Sequence, residues 1–208
     1  MKKMCKLMSG VLLAGMLLVG CAEKPPEELL IADIQTATIY LREDGSVQSS
    51  YVEEFDKAYY DVAELRTFME EMIGNYNREN GTDKVTLTDL LVSGGKVYAI
   101  LTYQDLGTYA DFNYDARAEQ PMMMAEAVSG TDAESRYGTE SFYQKNSLKG
   151  MVTGSEVLNA KKQNVVVIQG PIQVRTSGDI QYYTGGSLEG DRTLELAEGV
   201  ESVIIYKK

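Results

Sequence analysis

The sequence predicts an α+β protein in which antiparallel β-hairpins form one or two sheets and one main amphipathic helix packs on a sheet. Three observations support this class. Short segments of alternating polarity recur along the chain, turn-forming Asp-Gly and Gly-Gly pairs lie between them, and residues 61–80 alone have long helical periodicity. Strands and helices do not alternate regularly, so a doubly wound parallel sheet is not expected.

The first predicted element is a β-hairpin. Residues 34–41 alternate in polarity, with Ala37, Ile39 and Leu41 on one face, and residues 47–53 alternate again. Asp44-Gly45 lies between the two segments and is a strong hairpin-turn pair.

The predicted helix follows this hairpin. Asp61, with Glu64 three residues later, is typical of a helix start, and Asn80-Gly81 is typical of a helix end. Apolar residues recur between them at spacings of three and four, as on one face of a helix. They are Val62, Leu65, Met69, Met72, Ile73 and Tyr76. We expect this stripe to pack on a sheet rather than to form a ligand site.

A second hairpin is predicted from residues 84–92 and 96–104, which flank Ser93-Gly94-Gly95. Residues 105–120 are expected to form a loop or a short helical turn, and an apolar strand is expected to begin at residues 121–124. Residues 129–150 are rich in Gly, Ser, Thr and charge, which predicts a mobile loop or a lobe boundary.

The last third of the chain is predicted to be β-rich. Residues 165–169 (VVVIQ) have the composition of a buried strand. A third hairpin is expected from residues 172–175 and 180–183, around Ser177-Gly178-Asp179. A fourth is expected from residues 194–196 and 202–206, around Glu198-Gly199.

The amino-terminal segment has the composition of an export signal. Residues 1–6 contain three lysines and no acid, and the thirteen residues 7–19 contain no charge. A membrane-spanning helix needs about 20 apolar residues, so this run is too short to cross a bilayer. Glu23, Lys24 and Pro25 follow it at once and prevent it from continuing.

Leu18-Val19-Gly20-Cys21 resembles the lipobox of bacterial lipoproteins. The resemblance covers the first tenth of the chain, and no family pattern is recognised in residues 29–208. It implies cleavage between Gly20 and Cys21 and attachment of a diacylglyceryl group to the Cys21 sulfur. The alternative is an ordinary secretory signal cut after Ala22, with Gly20 and Ala22 at the small-residue positions.

These segments predict the domain organisation. Residues 1–20 form a signal peptide, residues 21–28 form the lipidated cysteine and a short proline-containing linker, and residues 29–208 form a globular α+β domain.

Removal of residues 1–20 changes the net charge from −11 to −14. An excess of negative charge this large disfavours binding to nucleic acid and direct electrostatic binding to anionic lipids.

The composition excludes several chemistries. The chain contains no histidine, and its two cysteines are Cys5, in the signal, and Cys21. Ser-His-Asp and Cys-His catalysis are therefore excluded, as are histidine- or thiolate-ligated metal sites. We expect no metal and no cofactor. A mature domain without free thiols or disulfides fits a Gram-positive cell membrane better than an oxidising periplasm.

Two short motifs resemble known sites without their supporting residues. Asp111, Asn113 and Asp115 match the opening of a calcium loop, but Ala116 and Met122 occupy the positions that require Gly and Glu. Ser93 and Lys96 match the S-x-x-K of penicillin-binding proteins, but S-D-N and K-T-G are absent and the tetrad lies in a predicted turn. We assign neither site.

The fourteen tyrosines of the chain are interpreted mainly as packing residues, although exposed ones can stack on sugars or anchor an interface.

Two functional hypotheses remain. The first is a non-catalytic binding or structural role at the cell envelope, with the membrane contacted through the anchor and an envelope polymer, small ligand or protein as partner. The alternative is a carboxylate-based hydrolase of envelope glycans, with two acids about 5–9.5 Å apart in a cleft.

Overall fold

The computed structural model describes residues 27–114, 125–145, 150–158 and 163–207. The predicted signal peptide, its cleavage site at Gly20 and the lipid attachment site at Cys21 lie outside the described residues. The predicted strand at residues 121–124 also lies outside them.

The described chain forms four α-helices and thirteen strands. After a 3₁₀ turn at Ile31–Asp33, the helices are α1 Val62–Asn80, α2 Leu106–Phe112, α3 Gly130–Tyr137 and α4 Gly154–Val157. The strands are β1 Thr38–Leu41, β2 Val47–Glu54, β3 Val85–Ser93, β4 Lys96–Tyr103, β5 Ala125–Ala127, β6 Ser141–Gln144, β7 Met151–Thr153, β8 Gln163–Gln169, β9 Ile172–Thr176, β10 Ile180–Tyr183, β11 Ser187–Glu189, β12 Thr193–Leu196 and β13 Glu201–Lys207. None of the helices in the described ranges is long and apolar enough to cross a membrane.

The strands form two sheets, so the predicted α+β class is confirmed. Sheet A has the order β11-β12-β9-β1-β2-β4-β3, and sheet B has the order β5-β8-β13-β10-β6-β7. Most of the regular structure is strand, and the described helical part is divided among four helices rather than concentrated in one.

The main core lies between the two sheets. Ile39 and Val174 of sheet A belong to the same buried cluster as Ile168 and Ile204 of sheet B, and α1 and α2 add residues to this cluster. A second cluster covers the other face of sheet B, where Ile205 packs with residues of α3 and α4. Sheet B is therefore buried on both faces, which explains the uninterrupted apolar run of β8.

The amino-terminal segment of the described domain covers the other face of sheet A. Leu29 and Ile34 form a third cluster there with Tyr40 and Ile100. The Leu29 amide donates to the Gln48 side-chain oxygen at 2.8 Å, which holds the segment against the sheet. The described chain therefore enters the fold on the face of sheet A opposite the main core.

The first two predicted hairpins are present. β1 and β2 pair antiparallel around Asp44-Gly45, and β3 and β4 pair antiparallel around Gly94-Gly95. Sheet A also contains a parallel pair that the sequence did not predict. β1 and β9 run in the same direction, with Thr38 opposite Gln173.

The predictions of a third and a fourth hairpin are wrong. β9 belongs to sheet A and β10 to sheet B, and β12 and β13 are divided in the same way. The turns at Ser177-Gly178-Asp179 and Glu198-Gly199 therefore carry the chain from one sheet to the other. β8 pairs with β13, and β12 pairs with both β9 and β11.

The segment predicted as a mobile loop or lobe boundary, residues 129–150, contains α3 and β6 among its described residues. The Ser129 side chain accepts a hydrogen bond from the Asp132 amide at 3.3 Å and begins the helix. Strand β5 before this segment and strand β7 after it both belong to sheet B. The strands that follow β7 are divided between sheet A and sheet B.

The corner between β10 and β11 requires a glycine for two reasons. Gly186 has φ of +98°, and a Cβ there would lie 2.6 Å from the Glu195 carbonyl oxygen. We expect Gly186→Ala to lower the free energy of unfolding by about 1–3 kcal/mol, measured by urea denaturation. Gly190→Ala has positive φ but open space, so it should cost less. An equal cost for the two variants would contradict close packing at the corner.

Candidate functional site

Helix α1 begins and ends at the residues that its sequence predicts. The Asp61 carboxylate accepts from the Ala63 amide at 2.7 Å and from the Glu64 amide at 3.2 Å, which satisfies two free donors of the first turn. The helix ends at Gly81, which has φ of +114°.

The carboxyl-terminal half of α1 is held against its neighbours by polar contacts. The Asn77 side chain donates to the Val85 carbonyl oxygen at 2.8 Å and accepts from the Val85 amide at 2.9 Å. The Tyr76 hydroxyl donates to the Asp111 carboxylate at 2.8 Å, and its ring packs edge-on against Phe112. These contacts fix one end of the helix on β3 and α2.

The amino-terminal half of α1 is packed less completely. Ile73 is the buried residue of the predicted stripe, and Leu65 and Met69 are half-buried against the main core. Val62 and Met72 are exposed, and Phe68, which the stripe did not include, is 59% exposed. The expectation that the stripe is core therefore holds only in part, because this half of the helix leaves space above the sheet.

That space is an apolar cavity of about 280 Å³ between α1 and sheet A. The helix contributes Leu65, Phe68, Met69, Met72 and Ile73 to its lining. The sheet contributes Tyr51, Glu53, Val97, Ala99 and Leu101, and the end of α2 contributes Phe112 and Asn113. Because Phe68 and Met72 are exposed, the cavity reaches the protein surface.

Four polar side chains are hydrogen-bonded to one another at the α2 end of the cavity. The Tyr51 hydroxyl donates to Asn113 Oδ1 at 2.5 Å and lies 3.1 Å from the Tyr103 hydroxyl. The Tyr103 hydroxyl also lies 3.2 Å from Ser49 Oγ, and Asn113 Nδ2 donates to the Tyr109 carbonyl oxygen at 2.8 Å. Each of these side chains therefore has a protein partner without any ligand present.

Two phenols near the α2 end of the cavity, those of Tyr103 and Tyr76, have raised pKa values. Burial, and then the neighbouring Tyr51, raise the pKa of Tyr103 well above its usual value. Burial, and then the hydrogen bond to Asp111, raise the pKa of Tyr76 to about 12. A protonated phenol can donate a hydrogen bond at neutral pH, but it is a poor general base.

Four carboxyl groups among the described residues have shifted pKa values. Every shifted carboxyl pKa among the described residues is lowered. In each case a hydrogen bond is the largest cause. Ser46 lowers the pKa of Asp44, and Thr108 lowers that of Asp105. Thr153 lowers the pKa of Glu156, and Arg192 lowers that of Asp179. A glycosidase acid requires the opposite shift, a raised pKa.

The cluster of charges around Lys145 consists of ion pairs. Lys145 Nζ lies 2.8 Å from the Asp191 carboxylate and 3.3 Å from that of Asp179, and Arg192 Nε lies 3.3 Å from Asp179. The hydrogen bond to Asp191 is the largest cause that raises the pKa of Lys145. Hydrogen bonds from Arg192 and then Lys145 lower the pKa of Asp179, so Lys145 and Asp179 are both stabilised in their charged forms, as in a structural ion-pair network.

In the two motifs that resemble known sites, the described polar side chains contact other residues of the protein. Asp111 accepts from Tyr76, and Asn113 binds the tyrosines near the cavity, whereas Asp115 lies outside the described residues. Ser93 lies opposite Lys96 across the β3–β4 turn, and Lys96 Nζ lies 3.9 Å from the Glu54 carboxylate. No group of three or more potential metal-ligating acids occurs within the described ranges.

The tyrosines divide between packing and exposure. Tyr103 and Tyr109 are buried and pack edge-on with ring centroids 5.2 Å apart. Tyr59 and Tyr60 are exposed in the loop before α1, and Tyr60 stacks on Phe55 with centroids 4.8 Å apart. These three aromatic residues, Phe55, Tyr59 and Tyr60, form a surface patch, which we call the aromatic patch.

Comparisons add no relative from which a function could be transferred: no protein-family model, curated protein or solved structure matches the chain. The candidate site is therefore defined by its geometry alone. The α1 stripe contains four of the five helix residues that line the cavity, but the sequence analysis interpreted the stripe as core, and it left out Phe68. It missed the sheet side, because Tyr51, Glu53 and Ala99 have the alternation of any strand.

Proposed function

We propose that this protein is a membrane-anchored extracytoplasmic lipoprotein that binds a small apolar ligand without catalysing a reaction. Residues 1–20 are the signal peptide and Cys21 carries the lipid. Residues 21–28 are the linker and residues 29–208 form the binding domain. The observation that carries the binding role is the open apolar cavity between α1 and sheet A. We further propose that α1 is an amphipathic cover, fixed at one end, whose apolar stripe faces the ligand.

The size and lining of the cavity support this role. An apolar cavity of about 150 Å³ lined by Leu, Ile and Phe is large enough to bind benzene. The cavity described here has about 280 Å³, and nine of its twelve lining residues are hydrophobic. The polar groups at the α2 end already have partners, so an apolar ligand can bind without leaving them unsatisfied.

The tether supports a position close to the membrane. An extended chain spans at most about 3.3–3.6 Å per residue, so the seven steps from Cys21 to Glu28 reach about 25 Å. Glu28 is fixed to the domain by its ion pair with Arg42 at 3.6 Å. Apolar molecules concentrate in a bilayer, and a domain held at this distance is well placed to bind them. A Gram-positive cell membrane is the favoured location.

The aromatic patch favours an envelope polymer or a protein as a further partner. Tyr59 is 78% exposed, and its ring lies edge-on to Tyr60 with centroids 4.9 Å apart. Exposed tyrosine rings provide flat apolar faces with a polar tip, which suits stacking on sugars and protein interfaces. The hydrolase of envelope glycans has less support, because it needs two carboxyl groups in one cleft and Glu53 is the only acid among the described lining residues of this cavity.

Binding can be tested with the neutral apolar dye N-phenyl-1-naphthylamine, whose fluorescence rises in apolar sites. We expect saturable binding by the wild type and roughly fivefold weaker binding by Phe68→Ser, because about 1 kcal/mol of apolar contact is lost. Phe68 is exposed, so the variant should fold normally. Leu91→Ser is the matched control, since Leu91 is exposed on β3 and does not line the cavity.

Two results would contradict the proposal. The first is the absence of saturable dye binding by the folded wild-type protein. The second is an equal loss of affinity in Phe68→Ser and Leu91→Ser, which would place the dye on general apolar surface rather than in the cavity.

A further inference from the structure

The cavity lining contains one charged side chain, the Glu53 carboxylate. No lysine or arginine is among the described lining residues. The Glu53 side chain is exposed and makes no hydrogen bond or ion pair with the residues that the structure describes. Two nearby acids differ in this respect: Glu54 pairs with Lys96 at 3.9 Å, and Glu70 pairs with Arg66 at 3.7 Å. An unpaired carboxylate therefore marks the rim of a site whose other described lining residues are uncharged.

The strand geometry places Glu53 and Tyr51 at different points of the same cavity. Residues two apart on a strand lie on the same face of a sheet, about 6.5 Å from each other. Tyr51 is opposite Ala99 and Glu53 is opposite Val97, and all four residues line the cavity. Tyr51 is bonded to Asn113 at the α2 end, and Glu53 lies one residue from the end of β2.

We propose that the ligand of this cavity is a small amphiphile whose apolar part carries one positively charged amine. The apolar part fills the space between α1 and sheet A, and the ammonium group lies at the rim beside the Glu53 carboxylate. A fatty acid or a phosphate-bearing lipid would place its negative head against the same carboxylate and would be repelled. This inference rests on the proposed binding function and specifies its ligand class.

The net charge of the protein attracts every cation and cannot by itself identify a site. Glu54 provides the control for this effect, because it is the next residue on β2 and does not line the cavity. Glu53→Gln and Glu54→Gln change the net charge by the same amount. Only Glu53→Gln changes the charge at the cavity rim.

The test measures displacement of the neutral dye by octylamine, octanol and octanoate, which share one apolar chain and carry a positive, neutral and negative head at neutral pH. At low salt we expect the wild type to bind octylamine roughly tenfold more tightly than octanoate, with octanol between them. Glu53→Gln should reduce this ratio to about one and leave octanol unchanged, whereas Glu54→Gln should retain the ratio. High salt should also reduce the ratio, since the rim is exposed and its charge is screened.

The outcomes separate this inference from the function on which it rests. Equal binding of octylamine and octanoate, with octanol bound, would overturn the ligand class and leave apolar binding intact. An equal reduction of the ratio in Glu53→Gln and Glu54→Gln would assign the preference to net charge and overturn the role of Glu53. Absence of saturable dye binding by the wild type would overturn both proposals.

Discussion

Cys21→Ser should release the protein from the membrane into the medium. The proposed anchor depends on the Cys21 sulfur, because serine cannot form the thioether that carries the diacylglyceryl group. Each buried methylene of an acyl chain contributes about 0.8 kcal/mol, and two chains hold a protein firmly where one is marginal. Loss of both chains should therefore move nearly all of the protein from the membrane fraction to the soluble fraction, as measured by fractionation and immunoblotting.

Cys5→Ser is the matched control for this experiment. Cys5 and Cys21 are the two cysteines of the chain, and Cys5 lies in the segment that the proposed cleavage between Gly20 and Cys21 would remove. This variant should remain in the membrane fraction. If the signal is instead an ordinary secretory one cut after Ala22, the wild type itself is soluble and Cys21→Ser changes nothing. Mass spectrometry that found an unmodified Cys21 thiol at the mature amino terminus would likewise reject the anchor.

Ile204→Ala should cause the largest loss of stability among the single substitutions considered. Ile204 is fully buried on β13, where it belongs to the main core between the two sheets. Truncation of a buried isoleucine to alanine removes apolar contacts and leaves a cavity, at a cost of about 2–5 kcal/mol. Because domains are stable by only about 5–15 kcal/mol, this is a large part of the total. Urea unfolding followed by far-UV circular dichroism measures the change.

Two further variants control the interpretation. Ile204→Val removes one methyl group and should cost about 0.5–1.5 kcal/mol. Ile205→Ala alters the second cluster, on the opposite face of β13, and should shift the same single unfolding transition. A cost below 1 kcal/mol for Ile204→Ala would contradict a tightly packed core between the sheets. Separate transitions for the two faces would show that the α3–α4 side unfolds independently.

The sequence predicted the fold class because polarity patterns and turn residues report local structure. Asp44-Gly45 and Gly94-Gly95 lie in true hairpins, and Asp61 begins α1. The later turns were misassigned for a physical reason. Ser177-Gly178-Asp179 favours a change of chain direction, but the same residues serve at a corner between two sheets. Which sheet receives the next strand depends on tertiary packing, and a local turn signal contains no information about it.

The candidate site was less predictable than the fold. The spacing of apolar residues on α1 shows that one face avoids water, but it does not show whether that face is covered by protein. The bonds of Asn77 to Val85 and of Tyr76 to Asp111 hold one end of the helix, and the cavity lies towards its other end. Glu53 is one of thirty-one acids in the sequence, and only the three-dimensional structure shows that it lies unpaired beside apolar side chains.

The parallel pairing of β1 with β9 affects when this protein can fold. Thr38 lies opposite Gln173, so the centre of sheet A joins residues that are synthesised far apart in time. Strands β1–β4 emerge early, but they cannot acquire their neighbour in the sheet until the last quarter of the chain has followed. Such distant contacts close slowly. The free edge of β1 therefore stays without its partner until residues 172–176 of β9 are available to pair with it.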